Sequence, residues 1–201
     1  MAIISATPQI TRDQVEAAVN LLIRWVGEDP TRDGLIDTPS RVARSFQELC
    51  DGYGADPKDI LSRTFMEQYD EMIVLRDAPF YSLCEHHLLP FYGTATIGYI
   101  PNDEAEMVVG ISKLARLLDC FAHRLQVQER LTQQIAKAIA ETLKAKGVGV
   151  VITAEHLCMA CRGVRKPGTQ MVTSAMLGAM RTIPSSRSEF LGIRGRHGTA
   201  N

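Results

Sequence analysis

Apolar residues first recur at helical spacing close to the start of the chain. Val15, Val19, Leu22, Ile23 and Val26 form one stripe. Thr11 and Gln14 precede it at capping-box spacing, and Gly27 and Pro30 stop it. A second helix is predicted from Thr38, with Pro39 in the first helical position, through Val42, Phe46 and Leu49 to near Gly52. Residues 53–70 read as irregular or short-helical. From Glu71 the pattern changes. Strands are predicted at Glu71–Tyr81 and Phe91–Ile100, the second closed by Pro101-Asn102. Ser112 reads as the N-cap of a helix carrying Leu114, Leu117, Leu118 and Phe121. A longer helix, Val127–Lys144, carries Leu131, Ile135, Ile139 and Leu143, and Gly147 ends it. Strands at Val148–Cys158 and Gln170–Met180 and a short helix at Ser186–Ile193 follow.

The order strand, strand, helix, helix, strand, strand, behind N-terminal helices, predicts an α+β fold. Its sheet is antiparallel and four-stranded, with two helices on one face (ββααββ). The division expected is an N-terminal helical region at 1–70, a catalytic domain at 71–193 and a loose tail at 194–201. Exposed sheet edges must be covered or paired, which makes an oligomer plausible.

Composition narrows the function. The chain has 201 residues, 45% hydrophobic and 22% charged, with a formal net charge of -1. That excludes a disordered chain and argues against a general nucleic-acid coat, which needs a basic surplus. No apolar run reaches the roughly 18 residues of a membrane span. The N-terminus lacks a signal-peptide pattern, so a cytoplasmic location is expected. Five cysteines are present, an odd count that suggests ligands, nucleophiles or core thiols rather than a disulfide framework.

The cysteines and histidines cluster. Cys84-Glu85-His86-His87 holds three potential ligands in four positions, and Glu155-His156-Leu157-Cys158-Met159-Ala160-Cys161 holds three more. Thiolate with imidazole favours zinc over magnesium or calcium. Cys84 and His87 would face opposite sides of a strand, so sharing a metal requires a turn there. His156 and Cys158 would share a face of a strand. Two metal arrangements fit. Cys84, His87, Cys158 and Cys161 would make a closed structural site, whereas three of them would leave a position for water. Spare histidines at His86 and His156 favour catalysis, because zinc brings the pKa of water towards about 7 and imidazole can then move protons.

No phosphate-binding glycine loop is present, so phosphate must be held by side chains. Candidates are Arg41, Arg44, Lys113, Arg116 and Arg162, the arginines because their fork bonds phosphate bidentately. A carboxylate such as Glu129 could accept paired hydrogen bonds from the N1–H and 2-amino edge of guanine.

These motifs resemble GTP cyclohydrolase I. Asp37-Thr-Pro-Ser-Arg-Val-Ala-Arg44, Cys84-Glu-His-His87, Gly110-Ile-Ser-Lys-Leu-Ala-Arg116, Gln126 through Ile135 and His156-Leu-Cys-Met-Ala-Cys-Arg-Gly-Val164 follow the family's order over roughly residues 10–192. The resemblance implies a tunnelling fold whose subunits join through their sheets into a pentamer, two of which stack as a decamer. It implies zinc (Zn2+) on Cys84, His87 and Cys158, with Cys161 outside the set and a departure from the residues usual there. It implies His86 and His156 as proton carriers, Ser112 as a ribose contact, Gln128 and Glu129 as guanine readers, and Lys113, Arg116 and Arg162 as triphosphate contacts. Arg41 and Arg44 resemble basic residues supplied across a subunit interface. The implied reaction hydrolyses GTP at C8, releases formate and rearranges the ribose to give 7,8-dihydroneopterin triphosphate, the first step of pterin and folate biosynthesis. A zinc-stabilised assembly without catalysis and a tunnelling-fold enzyme on another purine nucleotide are the rival expectations.

Overall fold

The computed structural model describes residues 10–102 and 107–195. The expected tail from Arg194 therefore falls largely outside the described residues. Two compact units divide between Leu49 and Cys50.

The first unit holds α1 (Arg12–Trp25) and α2 (Thr38–Leu49). The capping box forms as expected. The Thr11 hydroxyl accepts from the Gln14 amide at 3.3 Å, and the Thr11 amide donates to Gln14 Oε1 at 2.8 Å. Only Val19 and Ile23 of the α1 stripe are buried, while Leu22 and Val26 are exposed.

The second unit is built on a sheet of order β5-β2-β3-β6-β7. Its strands are β2 (Ile73–Cys84), β3 (Pro90–Ile100), β5 (Leu125–Gln126), β6 (Gly147–His156) and β7 (Gln170–Gly178). The four long strands pair antiparallel. The sheet has five strands rather than four because the two-residue β5 adds parallel to the end of β2. Between β3 and β6 come α4 (Ile111–Ala122) and α5 (Gln128–Leu143). Leu114, Leu117, Leu118, Leu131, Ile135 and Ile139 from these helices bury against Ile97, Tyr99, Val150 and Ile152 of the strands. Each such side chain contributes about 1.5–3 kcal/mol on burial.

Before β2 lie a 3-10 turn (Asp51–Gly54), α3 (Pro57–Leu61) and β1 (Thr64–Met66), which pairs with β4 (Met107–Val109). This segment, expected with the N-terminal helices, belongs to the second unit. The Arg124 guanidinium holds it there, donating to the carbonyls of Gly52 and Ala55.

Three local expectations change. Ser112 is not the N-cap of α4. Gly110 caps it, and Ser112 lies in the first turn. Gly147 opens β6 rather than ending α5, which closes on Lys144 in the left-handed conformation (φ 50°). Cys158 is not on the strand with His156, because β6 stops at His156 and the chain turns into α6 (Leu157–Ala160).

After β7 come α7 (Ala179–Thr182) and α8 (Pro184–Gly195). Phe190 of α8 is fully buried against the opposite sheet face with Val151, Met176 and Met180. Gly98 and Gly149 are cross-strand partners beneath it. A Cβ on either would come within 2.8 Å of its ring, so two missing side chains make the seat for this helix. No described helix is long and apolar enough to cross a membrane.

Candidate metal centre

The end of β2 builds the first half of the site. Cys84 is its last residue, and the chain then turns sharply. The amides of His87 and Leu88 donate to the Cys84 carbonyl at 3.3 and 2.8 Å. The Cys84 amide donates to Leu89 O at 2.9 Å, and Leu88 takes a positive φ of 54°. This is the turn that a shared metal requires, and it swings His87 back over Cys84.

The end of β6 supplies the other half. Cys158, on α6, brings its Sγ to 3.8 Å from Cys84 Sγ. Ligand atoms of Cys84, His87 and Cys158 all lie within 4.8 Å of one another. Cys161 is not among them. Its thiol is exposed and donates to the Leu157 carbonyl at 2.9 Å, so the closed four-ligand arrangement is not formed.

The donor set suits zinc. Two sulfurs and one imidazole from the protein match a site with one open position. Burial, and then the neighbouring Cys84, push the Cys158 thiol pKa up. Two sulfurs so close resist joint deprotonation unless a cation stands between them, and a divalent ion reverses that balance.

His156 sits beside this group. It is the cross-strand partner of Phe91, and the two rings stack with centroids 4.6 Å apart. Its Nε2 is 2.8 Å from Oε1 of Gln128. Burial lowers the His156 pKa, against an opposing pull from the Glu129 carboxylate. Burial therefore disfavours the charged imidazolium there. His86 differs: its side chain is 65% exposed, and Nε2 is 3.9 Å from Glu85 Oε1.

Gln128 is 1% exposed. Its amide nitrogen donates to Ile152 O, Met171 O and Thr173 Oγ1, each at 3.1 Å. Its side-chain amide hydrogens are thus engaged within the fold. Glu129, one residue on, is exposed.

The remaining predicted residues are placed less closely. Ser112, Lys113 and Arg116 lie on the first turns of α4. Arg162 follows α6 and acts electrostatically on Cys158. Lys113, Arg116 and Arg162 make no ion pair among the described residues. In the first unit, Arg41 pairs with Asp37 at 3.0 Å and Arg44 donates to Ser40 at 2.9 Å.

Sequence reasoning missed three supports. Glu85 and Arg130 form a two-pronged ion pair, one bond of 2.9 Å, that ties the ligand turn to the start of α5. Their 45-residue separation leaves no periodic signal. Phe91 reads as an ordinary strand aromatic until β3 and β6 are set in register. Thr132 donates to the Gln128 carbonyl at 2.7 Å and lies 2.7 Å from Thr173 Oγ1. Only the four-residue spacing of Gln128 and Thr132 hints at this in sequence.

Comparison with known proteins agrees with these features. Residues 15–194 match the family model described as GTP cyclohydrolase I. The chain is 52% identical over 190 residues to GTP cyclohydrolase 1 of Corynebacterium aurimucosum, covering 94% of this chain and 96% of that one. It is 52% identical over 187 residues to that of Mycolicibacterium gilvum, covering 93% and 92%. Among solved structures it is similar to an archaeosine synthase QueF-Like in the apo form. That match has 16% identity and a TM-score of 0.41, covering 53% of this chain and 93% of that one. On the family match and these identities, the chain belongs to the GTP cyclohydrolase I family.

Proposed function

We propose that the chain is a zinc-dependent enzyme that converts GTP and water to formate and 7,8-dihydroneopterin triphosphate. The observation that carries this reading is the Cys84, His87 and Cys158 group set beside a half-buried His156 that stacks on Phe91 and meets the Gln128 amide. Cys84, His87 and Cys158 would hold zinc, which supplies Lewis-acid polarisation and a water acidified towards about pKa 7.

The protein's own groups do the rest. Glu129, on the first turn of α5, accepts from the N1–H and 2-amino group of guanine. Lys113, Arg116 and Arg162 offer unpaired charge to the triphosphate. Ser112 contacts the ribose. His156 moves protons at the guanine imidazole ring, and the exposed His86 exchanges protons with solvent. Two such groups suit a sequence of ring opening, formamide hydrolysis, ribose rearrangement and closure, each with proton transfers.

The α4–α5 layer on the β2-β3-β6-β7 sheet is read as one tunnelling-fold subunit. The exposed β2 and β7 ends of such a sheet are joined to neighbouring copies in a pentamer, two of which stack as a decamer. Arg41 and Arg44 then reach the site of an adjacent subunit. The enzyme works in the cytoplasm, and its product feeds pterin and folate biosynthesis.

The test is direct. Zinc-loaded protein is incubated with GTP while formate and the dihydropterin absorbance are followed together. Both signals are expected in equal amounts. Folded, zinc-loaded protein that yields neither would reject the reading.

A further inference from the structure

We infer that Gln128 is a positioning residue whose fixed amide oxygen selects the His156 tautomer with its hydrogen on Nε2 and its lone pair on Nδ1. The kinetic part of this inference rests on the proposed GTP reaction, whereas the proton's position does not.

Neutral imidazole has two tautomers, and a hydrogen-bond partner chooses between them. Amide orientation is normally ambiguous, but here the neighbours decide it. The carbonyls of Ile152 and Met171 can only accept, and both lie 3.1 Å from Gln128 Nε2. A reversed amide would set its oxygen against two carbonyl oxygens. The amide oxygen therefore faces His156, 2.8 Å from Nε2. An amide oxygen only accepts, so that ring nitrogen carries the hydrogen.

The hydroxyls agree with this direction. Thr132 donates to the Gln128 carbonyl. Its oxygen is then free to accept from Thr173, 2.7 Å away. Thr173 in turn accepts from Gln128 Nε2. The two amide hydrogens are shared among three acceptors, all of which favour this orientation, and Gln128 and Thr132 are each 1% exposed. Competing water is excluded, so the orientation is held firmly. Phe91 fixes the plane of the imidazole, its own plane within 1° of parallel. Turning the ring over would replace N–H by C–H at the amide oxygen. Nδ1 has no hydrogen-bond partner among the described residues, so nothing in the fold competes with Gln128 for the choice of tautomer.

The experiment uses zinc-loaded, full-length protein labelled with 15N-histidine. Solid-state NMR is recorded at alkaline pH, where imidazole is neutral, and His156 is assigned from the lines missing in His156→Gln. The expected spectrum shows a protonated Nε2 and an unprotonated Nδ1. A protonated Nδ1, or an even mixture, would overturn the inference. Gln128→Leu provides the second reading. It is expected to mix the tautomers and to lower kcat about tenfold or more, with KM for GTP changed by less than about twofold. A raised KM at unchanged kcat would make Gln128 a guanine contact and overturn the positioning role. Should Gln128→Leu fail to fold, the wild-type spectrum alone decides. Protein inactive on GTP would reject the proposed reaction and leave the proton assignment readable.

Discussion

The imidazole of His156 lies flat on the ring of Phe91, with centroids 4.6 Å apart and planes within 1°. Phe91 is fully buried, so the stack is one side of a rigid wall rather than a surface contact. Phe91→Leu keeps an apolar side chain but removes the flat support. It is expected to cost about 1–2 kcal/mol in denaturant unfolding and to lower kcat about tenfold through looser His156 placement. A stability loss with unchanged kcat would reduce the stack to packing.

Glu85 and Arg130 connect the ligand turn to α5. Groups hydrogen-bonded to metal ligands commonly change metal binding 10–100-fold when lost, and this pair, which braces the turn carrying Cys84 and His87 without touching a ligand, falls at the low end of that range. Glu85→Gln is expected to weaken zinc affinity about tenfold, measured against a competing chelator. Arg130→Gln should do the same, and the double variant should add little to either single change. Fully additive losses would show that the two act separately.

Guanine selection should reside in Glu129. Inosine triphosphate lacks the 2-amino donor and should leave one carboxylate oxygen unpaired, at about 1.5–3 kcal/mol for a charge-assisted bond. The expected result is kcat/KM lower than for GTP by about 10–100-fold. In Glu129→Gln the preference should shrink. Equal use of both nucleotides by the wild type would place recognition elsewhere.

Gly149 lies under Phe190 with no room for a side chain. Gly149→Ala is expected to destabilise the protein by about 1–3 kcal/mol. Adding Phe190→Leu should recover part of that loss by vacating space. Differential scanning calorimetry compares the three proteins, and a Gly149→Ala midpoint equal to wild type would contradict the packing described.

The outlines of this molecule are legible in its sequence where pattern alone decides. The α1 capping box, the β3 run and the apolar stripes of α4 and α5 follow from spacing, because local hydrogen bonding and one buried face set them. The Cys84–His87 turn was also legible, since an extended chain cannot aim both residues at one ion. What escaped depends on distant partners. Ser112 has the right chemistry for a cap, yet Gly110 takes that position. The strand expected to reach Cys158 breaks off at His156, because Cys158 turns towards Cys84, 74 residues away. Gln128 looks like a free polar residue at a helix start until the carbonyls of Ile152 and Met171 close around it. The strand β1 goes unseen because its three residues are defined only by pairing with β4.

The central claim is that Cys158 holds the metal while His156 moves protons beside it, and one paired measurement tests it. Zinc content and formate release from GTP are measured on His156→Ala and Cys158→Ala, with circular dichroism confirming folding. His156→Ala should retain about one zinc per chain and lose turnover by about 10²–10⁴-fold. Cys158→Ala should lose both zinc and turnover. Equal zinc loss in the two variants, or full turnover in His156→Ala, would contradict the account.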